Sequence, residues 1–154
     1  MKKRPYLSWN VAEIAEYRFK DIRANKNEFP WAVELTDDQL YDNIYGDSDY
    51  FDAEFEWLTE ALTEKMAEMN KGEYWLASVE NFGWRHLSGG KNFKASTGGE
   101  LLNAVLPRTE CSFKIYVTKK GITINNAHHD APTGGEMYYI RPLTSAQWDK
   151  IEGY

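Results

Sequence analysis

Two groups of residues have types and spacings that can do chemistry. His128, His129 and Asp130 stand in succession, and imidazole beside carboxylate can ligate a metal or pass a proton. Neighbours in extended chain point to opposite sides, so one ion held there also needs His86 or a carboxylate such as Glu136. The competing reading is that Asp130 and Asn126 fix a turn by bonding backbone groups. The second group is electrostatic. Asp52, Glu56, Glu60, Glu64 and Glu68 recur at every fourth position, with Phe51, Phe55, Leu58, Leu62, Met66 and Met69 running between them at helical spacing. On a helix these carboxylates form one row opposite the apolar face. Four like-charged neighbour pairs then oppose folding by about 1 to 2 kcal/mol at low salt, more than solubility alone requires. The plain reading is a solvated helix face; the pointed one is a surface built to meet a cation-rich partner.

The row sits in a wider acidic block. Residues 34–68 hold twelve carboxylates against one cation, Lys65, a local charge of -11 in a chain whose net is -6, which leaves the remainder at +5. Asp37, Asp38, Asp42, Asp47, Asp49 and Glu54 thicken the row into a patch, and Tyr41, Tyr45, Tyr50 and Trp57 are the aromatics near it that can anchor a partner. The chain has six Trp, ten Tyr and seven Phe, more than a core of this size needs, so several are expected at the surface, where they favour interfaces.

The remaining motifs exclude more than they assign. Gly90-Lys91 is followed by Asn92, and Arg85 stands where a Walker loop needs glycine. No dinucleotide fingerprint and no nucleophile elbow is present. The reading is therefore of no catalytic residue, no metal and no cofactor, hence not an enzyme, with a small metal-dependent enzyme built on His128, His129 and Asp130 kept as a rival. A nucleic-acid-binding alternative rests on Lys114, Tyr116, Tyr139 and Arg141, because tyrosine faces edged by cations on a sheet can stack single-stranded bases. Residues 71–154 carry ten cations and eight anions, a modest excess for that role.

The elements that must position these groups follow from periodicity. Asn10 caps a helix to about residue 25, Thr36 with Gln39 boxes a second to Tyr45, and Ser48 or Asp49 opens the acidic helix, which stops near residues 70–72. From Tyr74 the period becomes two, with Trp75, Ala77 and Val79 against Tyr74, Leu76 and Ser78. Ser88-Gly89-Gly90-Lys91 supplies a turn, and Asn92-Phe93-Lys94 follows. Thr97 and Glu100 box a short inserted helix, and strands 112–118 and 122–126 flank Lys119-Lys120-Gly121. Cys111, the one cysteine, alternates with Phe113 and Ile115 and belongs to the core face of its strand. A strand over 137–141 and a helix capped by Thr144 and Gln147 end the chain.

This order predicts an α+β fold: N-terminal helices packed on a mostly antiparallel sheet of about four to five strands, with a short inserted helix and a C-terminal helix. At 154 residues one domain is expected, helical and acidic over 1–72 and sheet-rich over 73–154. No run approaches the roughly 18 apolar residues of a membrane span, and Met1-Lys2-Lys3-Arg4 leads into no apolar signal core, so the expected compartment is the cytoplasm.

A small, acidic, cysteine-poor chain with many aromatics resembles the proteins that phages and mobile elements encode against host defence, anti-CRISPR and anti-restriction proteins, some of which imitate DNA. The likeness covers composition and residues 34–68, and that group shares no motif through which residue roles carry over. What it implies is a non-catalytic inhibitor that binds a nucleic-acid-handling host enzyme, a CRISPR effector nuclease or a restriction enzyme, through a DNA-mimicking surface. On that reading Asp52, Glu56, Glu60 and Glu64 stand in for phosphates, with Asp49 on the same partner-binding surface and Tyr50 and Trp57 as anchors. A homodimer in which Lys2, Lys3, Arg4 and Lys26 cover the row would instead make the charge division structural.

Overall fold

Helix signals at Asn10, Thr36 and Thr144 are all satisfied in the computed structural model, which describes residues 4, 6–69, 74–81, 92–106, 113–126 and 136–151, with backbone alone at 79–81, 126 and 136. The chain falls into two compact units, Asn10–Trp57 and Met1–Trp9 with Leu58–Tyr154, the division lying inside one long helix.

In the first unit the Asn10 side chain accepts the Glu13 N–H at 3.2 Å and starts α1, Val11–Ala24. Asn25 ends it by donating its side-chain amide to the Asp21 carbonyl at 2.7 Å. A short 3-10 turn at Pro30–Ala32 leads to α2, Asp37–Tyr45, where both arms of the Thr36/Gln39 box form. The Asp47 carboxylate accepts the Tyr50 N–H at 3.1 Å at the entry of α3, Ser48–Met69. Ala15, Ile22, Ala32, Leu40 and Ile44 form the core, with Phe19, Phe29, Leu35 and Phe51 packed against it.

Arg23 fastens the connection between α1 and α2. Its guanidinium donates to the carbonyls of Ala32 and Leu35, each at 2.7 Å, and to the Asp37 carboxylate at 3.0 Å. A planar fork reaches two carbonyls on different residues while holding a carboxylate; an ammonium cannot span them. Arg23→Lys is therefore expected to lower unfolding stability by about 2 kcal/mol, the worth of one or two charge-assisted bonds. Urea unfolding followed by circular dichroism checks this, and an unchanged midpoint would mean that Phe29 and Leu35 hold the connection by packing alone.

In the second unit the strands are β1 Ser8–Trp9, β2 Tyr74–Asn81, β3 Asn92–Ala95, β4 Phe113–Thr118, β5 Gly121–Asn126 and β6 Glu136–Leu143. They form one antiparallel sheet in the order β1-β4-β5-β6-β2-β3. The fold is α+β as expected, with six strands where four to five were expected. The addition is β1, two residues pairing Ser8 with Lys114 and Trp9 with Phe113, too short to show any period in sequence. Gly121 is part of β5, opposite Thr118, so the β4–β5 turn is the two residues Lys119 and Lys120.

One sheet face is core: Trp75, Ala77, Phe93, Ala95, Phe113, Ile115, Ile122, Ile124, Tyr138 and Ile140 are all buried. Helix α4, Gly98–Val105, contacts β2 and β3 and buries Leu101, Leu102 and Val105. Its first residue, Gly98, leaves room for Met66, which would lie 3.1 Å from a Cβ placed there. Thr97 accepts the Glu100 N–H, while the Glu100 carboxylate accepts the Ser96 hydroxyl at 3.1 Å. In β2 the simple alternation expected from sequence fails, since Leu76 is as buried as Trp75 and Ala77. Leu76 shares the second sheet face with Leu143, also buried, where Trp148 of α5, Ser145–Lys150, stacks on Tyr74 at 4.4 Å.

The turn expected at 88–91, the core position of Cys111 and the stop at 70–72 lie outside the described residues.

Candidate functional site

The acidic row forms on α3, an unbroken helix of 22 residues. Asp49, Asp52, Glu56, Glu60, Glu64 and Glu68 are all exposed, while Leu58, Leu62 and Met66 are buried on the opposite stripe. Lys65, the single cation of the block, meets Glu68 at 3.5 Å. Among the described residues, Asp52, Glu56, Glu60 and Glu64 have no cation within ion-pair distance. Consecutive members are one helical step of about 6 Å apart, so each feels its like-charged neighbour at a distance well inside the Debye length.

Of the twelve carboxylates in the block, ten are exposed, which keeps the patch broad. Glu54 is the correction: at 2% exposure it cannot widen a surface. It lies three positions after Phe51 and four before Leu58, on the apolar stripe of its own helix, where period and not residue type decides burial.

The aromatics divide differently from expectation. Tyr41 stacks on Phe19 with ring centroids 4.3 Å apart, and Tyr50 lies under the Arg18 guanidinium at 4.5 Å. Tyr50 and Trp57 are half-buried. The freer rings of the first unit are Tyr45, 51% exposed and stacked at 6.5 Å on Phe51, and Trp31, 49% exposed. Trp31 was not singled out from sequence. The signal available was its place after Pro30 in a segment too short to bury both faces of a large ring.

The sheet brings the alternative set together on one face. Lys114, Tyr116, Tyr139 and Arg141 are all exposed and share the side of the sheet opposite the core. Tyr116 pairs with Thr123, Thr123 with Tyr139, and Tyr139 with Ser78, whose hydroxyl meets Asn92 at 3.1 Å. Thr123 is the residue that sequence reading missed. A two-residue turn at Lys119 and Lys120 already implies that 116 faces 123.

His128, His129, Asp130 and His86 lie outside the described residues. Among the described residues no three His, Cys, Asp or Glu side chains gather as a metal-holding group. Lys2 and Lys3, expected to cover the row in a dimer, also lie outside them, and Lys26 is exposed in the turn after α1. A cavity of about 190 Å³ beside Ile22, Phe29 and Ala32, edged by Arg23 and Lys26, is smaller than the roughly 300 to 1,000 Å³ of a usual small-molecule site. Among the described residues no helix is long and apolar enough to cross a membrane. No family model matches this chain, and neither a curated protein nor a solved structure does.

Proposed function

We propose that this chain is a non-catalytic binding protein whose acidic helix engages the basic groove of a nucleic-acid-handling protein and occludes it. The observation that carries the reading is the run Asp52, Glu56, Glu60 and Glu64, exposed in sequence along one helix with no counter-cation among the described residues. Such spacing costs folding free energy, and a partner rich in Lys and Arg offsets that cost when it docks. Steering by the field of the patch speeds encounter, and exposed aromatic rings slow departure. Tyr45 and Trp31 suit the anchoring role better than Tyr50 and Trp57, because they are the more exposed. On this reading the protein is of the anti-defence type its composition resembles, a phage or mobile-element product acting on a nuclease in the host cytoplasm.

The test is affinity capture from a bacterial lysate at low and at high salt. It compares the native chain with a Glu56→Lys, Glu60→Lys, Glu64→Lys variant whose fold is verified by circular dichroism. The expected result is a nucleic-acid-binding protein retained by the native chain alone and released by salt. Equal retention by both chains, or retention indifferent to salt, would return the row to an ordinary solvated face.

A further inference from the structure

The second sheet face is left partly uncovered by α5, and its chemistry is opposite to that of α3. Trp148 closes one end, over Tyr74, with the Lys94 ammonium 5.0 Å from the Trp148 ring. Beyond that end runs the cross-strand row Tyr116, Thr123, Tyr139, with Tyr116 53% and Tyr139 38% exposed. Tyr116 and Tyr139 are two strands apart, which puts their backbones about 10 Å from each other. Thr123 between them is small and half-buried, and the tyrosines on either side both keep exposed surface. Lys114 stands two residues before Tyr116 on β4 and Arg141 two residues after Tyr139 on β6, so a cation flanks the row on each side. Glu80 holds a register position opposite Met137, one row beyond the tyrosines.

From this juxtaposition we infer that the open sheet face binds a single strand of nucleic acid, its bases stacking on Tyr116 and Tyr139 and its phosphates meeting Lys114 and Arg141. Flat aromatic faces fit any base, and cations fit the backbone of either sugar, so the mode needs neither sequence nor a 2′-hydroxyl. A duplex hides its base faces and cannot use the tyrosines. This site shares no residue with the acidic helix, and either can fail without the other.

Fluorescence anisotropy with labelled 12-nucleotide oligo(dT) and oligo(U) at about 50 mM salt tests it. Both strands are expected to bind with affinities within about threefold of each other, and the corresponding duplex at least about tenfold more weakly. Tyr116→Ala and Tyr139→Ala are each expected to weaken binding by about 5- to 150-fold, while Tyr116→Phe, which keeps the ring, binds as the native chain. Lys114→Ala should lower the slope of log affinity against log salt by about 1. These side chains are exposed, so unchanged circular dichroism is expected for every variant. No strand binding at about 50 mM salt, equal binding of duplex, or full binding by both alanine variants would each overturn the inference. So would dimerisation of the chain that Tyr116→Ala abolishes, with strand binding absent, since a second copy would then be the occupant.

Discussion

Glu56→Lys combined with Glu64→Lys is expected to stabilise the protein and, at the same time, to weaken its hold on a basic partner by at least about tenfold. The two substitutions leave Asp52, Glu60 and Glu68 acidic and set a lysine between each of them, so each of the four like-charged neighbour pairs becomes an attractive one. Removing each repulsion and adding each attraction is worth about 0.2 to 0.5 kcal/mol, which sums to about 2 to 4 kcal/mol at low salt. All five positions are exposed, so salt screening trims that gain and no buried contact offsets it. For a chain of this length about 2 kcal/mol raises the midpoint of thermal unfolding by several degrees. Partner binding is expected to move the other way, because two reversals shift the local charge by four units where, on the proposed function, a cationic groove docks. Calorimetry and titration of the captured partner read the two effects separately. A variant more stable than the native chain that still binds as tightly would show that the row contributes nothing to recognition. A variant of unchanged stability would show that the native carboxylates repel each other less than their spacing implies.

The helical half was readable from sequence because its signals are local. Asn10, Thr36 and Gln39 act within one turn of themselves, and the spacing Leu58, Leu62, Met66 needs no knowledge of anything distant to mark a buried stripe. The sheet was readable in part for the same reason. Thr118, Lys119, Lys120 and Gly121 specify a hairpin locally, whereas β1 acquires its identity only by pairing with Phe113 and Lys114 about a hundred residues later. The second face of β2 likewise meets a neighbour from far along the chain, α5, which begins at Ser145 and whose Trp148 stacks on Tyr74, two residues before the buried Leu76. Glu54 shows the limit for the candidate site. A count of carboxylates places it in the patch, but its position on the helix places it inside, and only phase along α3 separates it from Asp52 and Glu56. The charge division was visible in composition; which rings stay open beside it was not, because Tyr41 and Tyr50 are sheltered by Phe19 and Arg18 from another helix.

Gly121→Ala is expected to destabilise the sheet by about 3 kcal/mol, near the upper end of the cost of adding a methyl to a filled space. A Cβ at Gly121 overlaps the backbone carbonyl oxygen of Ile140 on β6, and a backbone atom cannot swing aside as a side chain tip can. The strand must move, and with it the pairing of Ile122 with Ile140 and of Thr123 with Tyr139. Gly99→Ala is the matched control in the same unit. It lies in the first turn of α4, where a Cβ meets nothing within 4 Å, so the substitution is expected to stabilise by about 0.5 to 1 kcal/mol through lost freedom of the unfolded chain. Opposite shifts of the urea midpoint for two identical substitutions isolate the close approach of β5 to β6 from any general effect of replacing glycine. Coincident midpoints would mean that β5 can withdraw from Ile140 without cost. Since the tyrosine row is built across β4, β5 and β6, the same displacement that lowers stability in Gly121→Ala should also weaken single-strand binding, whereas Gly99→Ala, on α4 and on none of those strands, should leave it unchanged.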